Sequence, residues 1–142
     1  MAVVAALCIA AGANAGTADI QILTNADIWT ETCNAVQKQY PKKVDCSKIT
    51  PPIIVESQAV EDLFINGGRV NGIYYWGEPY IFVRPGQIRT MIHEMVHFIA
   101  VPLGIATETC DAEALARSIA GQPWGQKEQE RYRCVKPKAE AE

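Results

Sequence analysis

Hydrophobic positions fall into short stretches of distinct period. After Thr24-Asn25-Ala26-Asp27, where Asp27 stands three residues beyond Thr24 as in a capping box, Trp29, Cys33, Val36 and Tyr40 recur at helical spacing. Pro41 stops that run. A Lys-rich loop carrying Cys46 leads to Pro51-Pro52, then Ile53-Ile54-Val55 predicts a short buried strand, and Ser57 caps a brief helix through Phe64. Asn66-Gly67-Gly68 turns the chain into its most strand-like part. Residues 69–76 and 80–84, rich in Tyr, Ile, Phe and Val, flank Gly77-Glu78-Pro79 and predict a hairpin. Over 87–100, Ile88, Met91, Ile92, Met95, Val96 and Ile99 mark a helix, broken by Pro102 and Gly104. An Ala-rich helix follows over 111–120 with Gly121 as its C-cap, then a short helix over 126–134. This order predicts an α+β domain with a small sheet packed on helices.

Composition narrows the picture. The chain has 142 residues, 49% hydrophobic and 20% charged, which suits one folded domain and excludes a disordered chain. Lys and Arg number 13 against 16 Asp and Glu, so there is no global positive field and nucleic acid is not an expected partner. Residues 2–13 are apolar or small without one charge and run into Ala13-Asn14-Ala15, a pattern of a signal peptide over 1–15. The only positive group before that stretch is the Met1 amine, and a buried N-terminal helix is the alternative. Cleavage of that leader implies an exported chain, periplasmic or secreted, and no later stretch is long and apolar enough for a membrane helix. The domain then occupies 16–135, and 136–142 (KPKAEAE) form a flexible tail.

Cleavage after Ala15 would remove Cys8 and leave Cys33, Cys46, Cys110 and Cys134. An even count in an exported domain predicts two disulfides, and the short local loops favour Cys33–Cys46 and Cys110–Cys134. No CxxC pair is present, which speaks against a four-cysteine zinc site.

The chemistry concentrates in His93-Glu94-Met95-Val96-His97, an H-E-x-x-H motif on the helix predicted over 87–100. Four residues carry a helix about 40° past one turn, so both imidazoles leave the same face and can converge on one Zn²⁺. Glu94 stands beside them, placed to deprotonate a water on the metal. These are the chain's only histidines. A third ligand must then be a carboxylate or a cysteine, and Glu108, Asp111 and Glu113 are the nearest downstream acids. The H-E-x-x-H-x-x-G-x-x-H continuation fails, with Ala100 and Leu103 at the Gly and third His positions.

Over roughly 72–120 the chain resembles a small zincin of the gluzincin type, a minigluzincin: hairpin, H-E-x-x-H helix, then Glu113-Ala114-Leu115-Ala116, similar to the family's E-x-x-A ligand helix. The resemblance implies a zincin-like domain in which His93, His97 and Glu113 hold one catalytic Zn²⁺ and Glu94 is the catalytic base. Asp111 is the alternative third ligand, although the GTxxD motif of aspzincins is absent; otherwise Glu113 would be a solvated partner of Arg117. The implied function is a monomeric zinc metallopeptidase that hydrolyses peptide bonds. Its peptide substrate would lie along an edge strand, either 73–76 or 80–84. Tyr74, Tyr80, Arg69 and Tyr132 are candidate donors to the tetrahedral oxyanion. The competing reading is an exported zinc-binding protein without catalysis, an interaction or inhibitor module; Glu94 speaks against it, because a structural site has no use for that carboxylate.

Overall fold

In the computed structural model, residues 24–65 and 68–134 are described. The expected leader at 1–15, Cys8 and the expected tail at 136–142 lie outside them. Helix α1 (Asn25–Gln39) starts at the expected capping box. The Thr24 hydroxyl accepts from the Asp27 amide at 3.1 Å, and the Thr24 amide donates back to the Asp27 carboxylate at 3.1 Å. Such a cap is worth about 1 kcal/mol. The helix buries Ile28, Trp29, Cys33 and Val36.

Strand β1 (Ile53–Glu56) is followed by a 3-10 turn over Gln58–Asp62, where the Ser57 hydroxyl accepts from the Ala59 amide. The turn ends before Phe64, which belongs to β2 (Phe64–Ile65) rather than to the expected helix. The single strand expected over 69–76 is also divided. Strand β3 (Gly68–Arg69) pairs back onto β2, whereas β4 (Gly72–Tyr74) pairs with β5 (Tyr80–Val83). The backbone changes partner between them: the Val70 amide donates to Leu63 at 3.1 Å, and Asn71 accepts from the Arg84 amide at 2.8 Å. Tyr75 and Trp76 leave the strand because the chain turns at Gly77, whose φ of 82° suits glycine.

The three-stranded sheet has the order β1-β5-β4, with β1 parallel and β4 antiparallel to the central β5. Register sets Ile81 opposite both Ile54 and Tyr74, and Val83 opposite Glu56 and Gly72. Ile81 and Val83 point from β5 into the core and are fully buried, as alternation requires. There they meet α2 (Ile88–Ala100), which buries Met91, Met95, Val96 and Ile99. Helix α2 also packs against α1 and against α3 (Thr109–Ala120). Gly121, at φ 71°, closes α3 in the left-handed conformation that glycine tolerates. The last helix, α4 (Gln126–Arg131), ends three residues earlier than expected, in a turn through which Cys134 donates to Gln129 at 2.7 Å.

The architecture is therefore α+β, with both disulfides present: Cys33–Cys46 and Cys110–Cys134, at sequence separations of 13 and 24. The pairs are consistent with an oxidising compartment. Among the described residues, no helix is long and apolar enough to cross a membrane.

The Cys110–Cys134 bond ties α3 to the chain's last described turn. In the loop-entropy account, closing a loop of this length contributes about 3 kcal/mol. The Cys110→Ser/Cys134→Ser double variant is expected to lose about that much in urea denaturation, and an unchanged midpoint would contradict the assignment.

Candidate metal centre

The site is built where α2 faces α3. His93 and His97, one turn apart on α2, have ring centroids 4.9 Å apart. Helix α3 approaches closely here because it presents small side chains: Ala116 is fully buried and Ala112 half-buried on either side of Glu113. Its Glu113 carboxylate bridges the two rings, Oε1 lying 3.2 Å from His93 Nε2 and Oε2 lying 3.0 Å from His97 Nε2. His93 and Glu113 are both buried. One ligand atom from each of the three residues lies within 4.8 Å of the others, a group that could hold a metal ion.

Electrostatics fit that purpose. Burial works to raise the Glu113 pKa, but hydrogen bonds and charge from both histidines outweigh it and hold the carboxyl well below its ordinary range. Burial would lower the His93 pKa; the Glu113 hydrogen bond and the charges of Glu94 and Glu113 win, and the net shift is upward. The other ring nitrogen, His93 Nδ1, donates to Gln122 Oε1 at 2.6 Å. In the neutral ring that leaves Nε2 with a lone pair aimed at the Glu113 carboxylate, acceptor against acceptor. Such a pair needs a cation between its members, either a proton on the ring or a metal ion. The donor set of two imidazoles and one carboxylate is that of His₂Glu zinc sites, where ligand bonds of about 2.0–2.2 Å leave room for a fourth ligand.

Glu94 is half-buried beside the cluster, with the Tyr74 backbone of β4 close to its carboxylate. Burial chiefly, and the Glu113 charge in addition, raise its pKa against the opposing pull of both histidines and the Tyr74 backbone. The four residues line a cleft of about 310 Å³. Tyr74 and Trp76 wall it on the sheet side, Val101, Ile105 and Ala106 beyond α2, and Tyr132 after α4.

Other candidates are sorted by position. Asp111 is exposed and lines a separate recess with Tyr40 and Ser118 that neither histidine reaches, so the alternative third acid is not in the cluster. Glu108 is an exposed residue at the N-cap of α3. Of the oxyanion candidates, Tyr74 and Tyr132 line the cleft and Arg69 lines an adjoining recess. Tyr80 lies against Phe82, 6.1 Å between ring centroids, and lines neither.

Two supporting residues complete the arrangement. Arg117 is indeed four residues from Glu113 and 3.5 Å from its carboxylate, yet the pair is shielded from solvent. Its guanidinium lies 5.8 Å from the Trp124 ring centroid and 5.7 Å from that of Tyr132, and it donates to the Pro123 carbonyl. Gln122 was not foreseen from the sequence. The signal for it is Gly121: after the left-handed cap, the Gln122 amide donates to Arg117 at 2.8 Å, a Schellman closure that returns Gln122 to the helix end facing His93.

Comparison with known protein families, with curated proteins and with solved structures finds no match for this chain.

Zn²⁺ added at a hundredfold excess over its Kd is expected to stabilise the fold by about 2.7 kcal/mol, reversed by chelator. His97→Ala or Glu113→Ala should abolish the shift in thermal midpoint, and Gln122→Ala should weaken Zn²⁺ binding about tenfold. A shift surviving in His97→Ala would place the ion elsewhere.

Proposed function

We propose that this protein is a zinc-dependent peptidase of the gluzincin type. The observation that carries the reading is the convergence of His93, His97 and Glu113 at the wall of an open cleft, with a fourth ionisable group, Glu94, beside them. A purely structural zinc site closes its coordination sphere and needs no such acid. A Zn²⁺ ion held by the three residues would supply Lewis-acid activation of a water and of the scissile carbonyl.

The remaining work falls to this chain's own side chains. Glu94 takes the proton of the attacking water as it adds to the carbonyl carbon, then passes that proton to the departing amine. Burial raises its pKa, the direction that suits a group that must both accept and return a proton. The Tyr74 backbone lies close to the Glu94 carboxylate and belongs to strand β4. That strand is an edge of the three-stranded sheet, which supports the Ile73–Tyr74 part of 73–76, rather than 80–84, as the place where an extended peptide would lie. Tyr132 keeps its phenolic proton, because burial and the Glu113 charge raise its pKa over the lowering effect of Arg117 and Arg131. A protonated hydroxyl lining the cleft is suited to donate to the oxyanion.

Glu94→Gln is expected to bind Zn²⁺ as the native protein does while losing hydrolysis of a peptide library by at least a thousandfold. Tyr132→Phe should lower kcat about a hundredfold with little change in KM. A Glu94→Gln variant as active as the native protein would remove the catalytic role, and a Zn²⁺-loaded native protein inert toward every peptide would favour the non-catalytic zinc-binding reading.

A further inference from the structure

The cleft has a second chemical character away from its four ionisable groups. Outside His93, Glu94, His97 and Glu113, none of the described residues that line it bears a charge. Trp76, Val101, Ile105 and Ala106 make that part of the lining largely apolar.

Two separate segments supply these side chains, and each is braced. Trp76 stands on the turn between β4 and β5, where the Gly77 amide donates to the Tyr74 hydroxyl at 3.3 Å and the Glu78 amide donates to the Tyr75 carbonyl at 3.1 Å. The Tyr74 ring in turn packs edge-on against Phe98 of α2. The turn is thus held to the body of the fold while its indole is left 77% exposed at the cleft. Val101, Ile105 and Ala106 belong to the segment between α2 and α3. There the Ile105 amide donates to the Ala100 carbonyl at 3.0 Å, closing the end of α2, and the Ile105 side chain is buried in the core. Ala106 follows at φ 50°, one of two described non-glycine residues in the left-handed region. Strain of this kind persists where a functional wall has to be held in place.

Continuity with the metal-binding group decides what this lining would meet. A chain lying across His93, His97 and Glu113 extends a neighbouring side chain along the same cleft. A charged group there would shed its water without gaining a partner. An apolar group would leave water at no such cost and would cover the exposed indole.

We infer that this part of the cleft is a subsite for a large apolar side chain, Leu, Met or Phe, on the substrate residue beside the reacting bond, and that Trp76 is the residue that sets the preference. The inference rests on the peptidase reading for its substrate class.

Alanine-based peptides blocked at both ends, with Phe, Leu, Ala, Asp or Lys at one position, test it. Cleavage is read on the Zn²⁺-loaded native protein, and affinity on Zn²⁺-loaded Glu94→Gln by titration calorimetry. The Phe and Leu peptides are expected to exceed the Ala, Asp and Lys peptides at least tenfold in kcat/KM and in affinity. Adding Trp76→Ala, a change at an exposed turn, should bring the Phe-to-Ala ratio toward one. Adding Val101→Asp, which places a carboxylate in the apolar lining, should shift the preference from Phe toward Lys. Binding with the apolar preference but without cleavage would uphold the subsite while removing the peptidase reading. Cleavage that treats all the peptides alike would keep that reading and overturn the inference. A preference untouched in both variants, or no binding by any of the peptides, would overturn it as well.

Discussion

A carboxylate buried between two imidazoles is the constraint around which the rest of this molecule is arranged. Glu113 reaches both His93 and His97 at hydrogen-bonding distance from a second helix, so the α2–α3 spacing has to be right to a fraction of an ångström. Small residues on α3 permit the approach, and the sheet holds α2 from the opposite side through Ile81 and Val83. Burial of the acid is tolerated because positive partners surround it: the histidines when protonated, and Arg117 behind. Remove those partners and an unpaired buried charge remains, which a small domain can ill sustain.

The supporting contacts form a closed circuit. Gln122 fixes one ring nitrogen of His93, Arg117 backs Glu113, and the Trp124 and Tyr132 rings flank the Arg117 guanidinium. All of these lie on α3 or in the segment after it. The histidine helix brings the nitrogen pair, and the C-terminal third of the described chain brings most of what orients it. Outer contacts of this kind commonly decide how tightly a site grips its ion.

Much of this could be seen in the chain itself. The spacing of His93 and His97 on an amphipathic run placed both on one helix face, and the Thr24–Asp27 pair marked the start of α1. Both disulfides followed from loop length. These are local matters, decided by residues a few positions apart. What the sequence concealed is long-range. The parallel pairing of β1 with β5 joins segments that no turn connects, and nothing local marks the change of partner at Val70–Asn71 that splits the expected strand 69–76. Position also decided between Asp111 and Glu113: two residues apart on one helix, they face different sides, a difference of about 200° in helical angle. The Gln122 contact is intermediate, foreshadowed by Gly121 but not by any feature of Gln122.

The Cys110–Cys134 bond joins the first turn of the helix that carries Glu113 to the residue just beyond Tyr132 and Arg133. One flank of the cleft is thereby riveted to its floor, like a door jamb. The opposite flank, where Trp76 stands 77% exposed at the hairpin tip, has no covalent tie among the described residues. Relative movement of the two walls is then left to the hairpin side, while Tyr132 stays tethered to the helix that carries Glu113.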